Sequence, residues 1–221
     1  MRLLLSAIVI TVTPTLFAQA DDAWLQWPEK TALEVGRRMR VTGRVGGIWG
    51  LRGLHTERAM NYELRATWMT PEVLRASARI AQLRGRRSAA EATRLLHDAE
   101  AAADTIVMVE LDPREGSGVI PLDWAAYLQP KGAAPDSGRA VAGLPTKSAR
   151  DNPALAGVEK RDYDFDVFVL GFPLQDSEGR LVLADAAQAE LVIRINSSEG
   201  RVSWAVPESI RRRGEQLAQA R

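Results

Sequence analysis

Cysteine is absent from this chain of 221 residues. Disulfides, thiolate zinc sites, iron–sulfur clusters, a cysteine nucleophile and a lipidated N-terminal cysteine are excluded with it. Histidine is nearly absent: His55 and His97 are the whole supply, so chemistry that needs several imidazoles is excluded too. Neither sign of charge is in real excess, with 29 Lys and Arg against 28 Asp and Glu. Arg outnumbers Lys 25 to 4, a skew that is not by itself a nucleic-acid signal. Long apolar runs are confined to Leu3–Phe17, which is shorter than the roughly 20 residues a membrane span needs.

That one run has the marks of a secretory leader. Arg2 precedes it, Pro14 breaks it near its end, and Ala18-Gln19-Ala20 follows as a small-residue cleavage pattern before Asp21-Asp22. Residues 1–20 are therefore expected to be a removed signal peptide. The mature chain is expected to be periplasmic or extracellular, with no transmembrane segment and no nucleic-acid partner. Without Arg2 its acidic and basic side chains balance at 28 each, but unevenly. Residues 21–97 carry an excess of six positive charges, 98–200 an excess of nine negative ones, and 201–221 an excess of three positive ones. The simplest reading is that basic and acidic parts face each other within one fold. The other reading is that the polarity steers a charged partner.

With 46% hydrophobic and 26% charged residues, the chain is ordinary globular material for a single domain over 21–206. In residues 38–45 Met39, Val41, Gly43 and Val45 alternate with Arg38, Arg40, Thr42 and Arg44, the pattern of a half-buried strand. Residues 60–69 read as a second strand. The period then changes. Thr70-Pro71-Glu72 is a helix start, Gly85 is expected as its stop, and Ser88-Ala89-Ala90-Glu91 is a capping box opening a second helix. Together they predict a helical hairpin inserted at 71–103. Period two returns at 105–111, 119–122, 124–128, 164–173, 180–185, 190–195 and 201–206, with Pro121 placing its piece at an edge or bulge. Ser177-Glu178-Gly179-Arg180 and Ser198-Glu199-Gly200-Arg201 read as two copies of one turn. Residues 129–160 read as a long flexible loop, and 207–221 as a short basic helix. The expected fold is mainly β (α+β): an antiparallel β-sandwich, of which the immunoglobulin-like form is the model case, carrying the inserted helical hairpin.

Chemistry-bearing residues are few. The segment Gly46–Gly53 holds glycines around Trp49 and Arg52 but matches neither a P-loop nor a dinucleotide fingerprint. Trp49 and Arg52, with Arg84, Arg86 and Arg87 at the tip of the helical hairpin, are the candidate partner-binding residues, because Trp and Arg are enriched at interface hot spots. Asp162, Asp164 and Asp166 fall on one face of a strand and are the candidate hard-metal ligands, although a solvated face at a sheet edge, or a face opposite the Arg residues of a neighbouring strand, is the simpler explanation. His55 with Glu57, and His97 with Asp98 and Glu100, are the imidazole–carboxylate neighbours. No G-x-S-x-G or H-E-x-x-H accompanies them, and Gly116-Ser117-Gly118 looks like a hairpin turn. Asn196-Ser197-Ser198 matches a glycosylation acceptor in a predicted turn. The functional expectation is an exported, non-enzymatic binding or scaffolding module for a protein or other envelope component, with no cofactor. A secreted carboxylate-dependent hydrolase and a calcium-stabilised sandwich are the alternatives.

Overall fold

The computed structural model describes residues 22–46, 62–113, 120–133, 138–146, 151–155 and 164–219. The leader reading of residues 1–20 lies outside them. Nine strands, β1 (Arg40–Val45), β2 (Tyr62–Trp68), β3 (Thr105–Asp112), β4 (Ala125–Pro130), β5 (Val141–Ala142), β6 (Leu144–Pro145), β7 (Asp166–Phe172), β8 (Gln188–Ile195) and β9 (Ser198–Ala205), form one antiparallel sheet. Its order is β5-β4-β8-β9-β1-β2-β3-β7-β6. The two outermost strands are consecutive in the chain, with only Gly143 between them. Leu128 and Tyr127 of β4 pair with Val141 and Ala142, and Leu144 and Pro145 pair with Gly171 and Leu170 of β7. One short segment therefore ties both edges together, and the sheet is a nearly closed barrel.

The immunoglobulin-like sandwich is not confirmed: two facing sheets would keep separate edges, whereas here the edges meet. The closing strands lie within 129–160, where two-residue pairings leave no periodic signal in the sequence. Gly143 is needed at the junction, because a Cβ there would sit 2.6 Å from Cζ of Phe172 inside the barrel.

The period-two residues fill the interior. Tyr62, Leu64, Ala66 and Trp68 of β2 face Val107, Val109 and Leu111 of β3, Leu170 and Phe172 of β7, and Leu191, Ile193 and Ile195 of β8. Met39 and Val41 pack against the same core, as their alternation predicts. Two tryptophans, near the ends of β2 and β9, pack together in this core with ring centroids 5.5 Å apart. Trp68 Nε1 donates to Thr105 Oγ1, and Trp204 Nε1 donates to the carbonyl of Met39, each at 2.8 Å, so neither indole N–H is buried without a partner.

A second apolar layer covers the outer face of β2, β3 and β7. Helices α2 (Pro71–Gly85) and α3 (Ala89–Glu100) lay Val73, Leu74, Ala78, Ala92, Leu96 and Ala99 on Met69, Ile106, Met108 and Val169. Thr70 caps α2 as expected, its Oγ1 accepting from the Val73 N–H. The capping box of α3 is complete: Ser88 Oγ accepts from the Glu91 N–H, and the Glu91 carboxylate accepts from the Ser88 N–H. The stop of α2 differs from expectation. Gly85 is its last helical residue, and Arg86 takes the left-handed cap conformation at φ 50°. Helix α1 (Glu29–Arg38), unseen in the sequence, packs small residues on α2, with Ala32 against Ala76 and Ile80. Helix α4 (Glu208–Gln219) buries Ile210 and Gly214.

The two similar tetrapeptides diverge. Asp176 nucleates a true turn, accepting from the N–H groups of Glu178 and Arg180, with Gly179 at φ 80°. Ser198–Gly200 instead lie in β9, and the hairpin loop is Asn196-Ser197, with Asn196 at φ 52°. Residues 180–185 are not a strand. They fold back on residues 174–176 through the Gln175–Leu181 bridge and backbone bonds from the Asp176 N–H to Arg180 and from the Val182 N–H to Leu174, and consecutive Val182 and Leu183 are both buried in the core.

The Asp176 turn carries a pH dependence. The Arg180 guanidinium first, and then the N–H groups of Arg180 and Glu178, hold the Asp176 carboxyl below the usual carboxylate range. A depressed folded pKa contributes stability that is present above the ordinary carboxylate pKa and is lost as pH falls through the lowered value. Asp176→Asn is therefore expected to flatten the acid limb of a stability–pH curve and leave the neutral and alkaline limb parallel to wild type, as read by thermal melts across pH.

Candidate functional site

Strand direction sorts the chain connections between the two ends of the barrel. Antiparallel pairing places the end of β1 beside the start of β2 (Val45 opposite Tyr62), the end of β3 beside the start of β7 (Leu111 opposite Asp166), and the start of β4 beside the end of β8 (Ala125 opposite Arg194). The connections leaving after Val45 and Asp112, the approach to Asp166 and the β8–β9 hairpin therefore share one end. The helices and residues 173–187 join the strands at the other. Loops gathered on a rigid frame are where binding surfaces are usually built.

At this loop end the described side chains include apolar rings and charges of both signs: the Arg65 guanidinium lies 3.7 Å over the Phe165 ring, and Arg194, opposite Ala125, lies over Tyr127. Trp124 and Phe168 meet edge to face at 4.8 Å, spanning the start of β4 and the start of β7. This is where β6 stops covering β7, so aromatic rings fill the gap between strands. Both rings, with Ile120, pack partly against the interior. Next to them in the chain, Leu122 is fully exposed and Val167 is 39% exposed. Asp123, Asp164 and Asp166 are exposed beside them. The expected strand at 119–122 does not form in its described part, residues 120–122. Pro121 cannot donate to a ladder, and Leu122 turns outward instead of inward.

The sequence-derived candidates are distributed as follows. Trp49, Arg52, His55, Glu57, Asp162 and Ser117 lie outside the described residues. Asp166 opens β7 in the same phase as Phe168 and Leu170, so it stands at the rim of the barrel, and Asp164 precedes it. Strand β7 is not an edge strand overall, because it lies between β3 and β6, but β6 pairs only with its last turns of backbone. Among the described residues no three His, Asp or Glu side chains gather closely enough to hold a metal. Arg84 is committed to Glu29 of α1, with Nε and Nη2 each 2.8 Å from one carboxylate oxygen. Arg86 forms the helix cap, and the Arg87 side chain folds over Gly85. His97 is exposed and 3.9 Å from Glu100.

Sequence reasoning missed Leu122, Val167 and the Trp124–Phe168 contact as surface features. One signal was available: an apolar run interrupted by Pro121 cannot be a central strand, so some of its side chains must find another place. No protein-family model, no curated protein and no solved structure matches the chain. Among the described residues, no helix is long and apolar enough to cross a membrane.

Proposed function

We propose that this chain is an exported, non-enzymatic binding module whose partner face is the loop end of the barrel. The observation that carries the reading is the fully exposed Leu122, two residues from Trp124 of the Trp124–Phe168 contact. Exposed apolar side chains around a rigid aromatic base, with a polar rim, suit a protein surface that offers an apolar pocket. The partner is accordingly a protein component of the cell envelope. The leader-like residues 2–20 support export, and Trp49 and Arg52 belong to the segment joining β1 to β2, whose flanks open at this same end. The poverty of imidazole and the scatter of the described carboxylates support a binding role over catalysis.

Cross-linking in the native cells, followed by purification of the chain, tests this. One dominant envelope partner is expected. Leu122→Glu is expected to leave the melting temperature unchanged, since an exposed substitution shifts stability by no more than about 0.5 kcal/mol, and to abolish the cross-link. The Trp49→Ala, Arg52→Ala double variant is expected to weaken it. An undiminished cross-link in Leu122→Glu, or no cross-link in the unmodified chain, removes the reading.

A further inference from the structure

The wall between β1 and β9 is unlike the rest of the barrel. Neighbouring long strands elsewhere share six to eight register positions, but β1 and β9 share one, Val45 opposite Gly200. Beyond it the two strands stay close: a Cβ on Gly43 would lie 2.7 Å from Cγ1 of Val202, and Trp204 holds the Met39 carbonyl. The seam is thus pinned at both ends and is too narrow to admit another strand. Outside it lies an open groove of about 530 Å³, floored by Val41 and Val202 and flanked by Arg37, Arg40 and Thr42 on one side and Arg201 and Ser203 on the other.

The guanidiniums here are held in place. Glu110 lies 3.2 Å from Arg40 Nη2. Arg201 reaches Glu199 through Nε and Nη2 and Glu190 through Nη1, at 2.7–2.8 Å. Each Nη of Arg201 retains a second hydrogen for another acceptor. Gln129 also donates to Glu190, so that carboxylate is braced from the neighbouring strand. Burial works against ionising Glu199, but the guanidiniums of Arg194 and Arg201 outweigh it and hold its carboxyl below the usual range. Three arginines, Arg37, Arg40 and Arg201, line the groove, and among the described residues no carboxylate does.

We propose that this groove binds the dianionic phosphate group of a phosphomonoester, with Arg37, Arg40 and Arg201 on its oxygens and the Thr42 and Ser203 hydroxyls completing the contacts. Guanidinium forks match tetrahedral oxyanions in geometry as well as charge. Braced side chains lose little further freedom on binding. A phosphate of this class is carried either by a soluble metabolite or by a lipid headgroup. Leu122, Trp124 and Phe168 do not line this groove, so its failure leaves the proposed partner face untouched.

The probes are inorganic phosphate and vesicles of phosphatidic acid or phosphatidylcholine, applied to the mature chain. Titration with phosphate, against chloride at equal ionic strength, is expected to give saturable amide NMR shifts at Thr42 and Ser203. Arg37→Glu, on the exposed face of α1, is expected to weaken that binding about tenfold or more. Thr42→Val is a second test should Arg37→Glu fail to fold, and is expected to weaken binding less. Sedimentation with phosphatidic acid vesicles but not phosphatidylcholine, lost in the same variants, assigns the phosphate to a lipid. Phosphate shifts without sedimentation assign it to a soluble ligand. Absence of shifts at Thr42 and Ser203, equal shifts with chloride, or unchanged phosphate affinity in the variants overturns the proposal.

Discussion

Gly200→Ala is expected to open the barrel, lowering stability by about 3 kcal/mol, the upper end of the range for overpacking. A Cβ at position 200 would sit 2.8 Å from Cγ2 and 2.9 Å from Cα of Val45, with the Arg44 carbonyl oxygen closer still. Two of these three neighbours are backbone atoms, so no side-chain rotation relieves the contact. The position also holds the single register pair between β1 and β9. Gly200 has no positive φ to excuse it; its role is close approach alone. Gly179→Ala makes the control. That residue lies in an exposed turn at φ 80°, where the penalty is the local conformational one of about 1 kcal/mol. Urea unfolding of both variants measures the difference. Equal losses would mean that the β1–β9 junction relaxes around a methyl group and does not close the barrel as described.

Trp68→Ala is expected to cost about 3–5 kcal/mol, a large share of the 5–15 kcal/mol that holds a typical domain folded. The side chain is fully buried, meets the Trp204 ring at a tilt of 56°, and gives its indole N–H to Thr105. Its removal leaves both a cavity and a buried hydroxyl without its donor. Trp68→Phe separates these terms. It keeps most of the apolar volume and forfeits the hydrogen bond, for an expected loss of about 1–3 kcal/mol. Adding Thr105→Val to Trp68→Phe is expected to recover part of that loss, since both polar partners are then gone. Denaturant midpoints of the wild type, Trp68→Phe, Thr105→Val and the double variant form the cycle. No recovery would mean that the hydrogen bond contributes nothing beyond the packing of the ring.

Some of the fold was legible residue by residue. The alternation at Met39–Val45 correctly places Val41 and Val45 inward and Arg40 and Arg44 outward. Thr70-Pro71 and the Ser88–Glu91 box mark helix starts through hydrogen bonds made within one turn, so they need no tertiary context. Helix α1 was not legible. Its ten residues include Gly36 and the β-branched Thr31 and Val35, and its stability comes from small residues lying against Ala76 and Ile80, far along the chain. The stretch at 180–185 alternates like a strand, but it only folds back on residues 174–176 and joins no strand of the sheet, and its Val182 and Leu183 turn inward together. The twin tetrapeptides show the same limit. Identical residues became a turn where Asp176 could bond its own backbone, and a strand where β8 and β1 lay alongside.

The candidate sites divide in the same way. Arg40 and Thr42 are outward-facing by periodicity alone, but nothing in the sequence sets them beside Arg201 and Ser203, more than 150 residues later. Leu122 and Phe168 are likewise distant in sequence and share one barrel end only through strand direction. What the sequence by itself determined is the local part: helix caps, the inward and outward alternation of the long strands, and the absence of thiol chemistry. Each of these follows from bonds and periods spanning a few residues. Barrel rather than sandwich, the sparsely paired but pinned seam of β1 and β9, and the exposure of Leu122 were decided by the tertiary structure. They depend on the two-residue strands flanking Gly143 and on close approaches at Gly43 and Gly200, where the physics is the distance between segments remote in the chain.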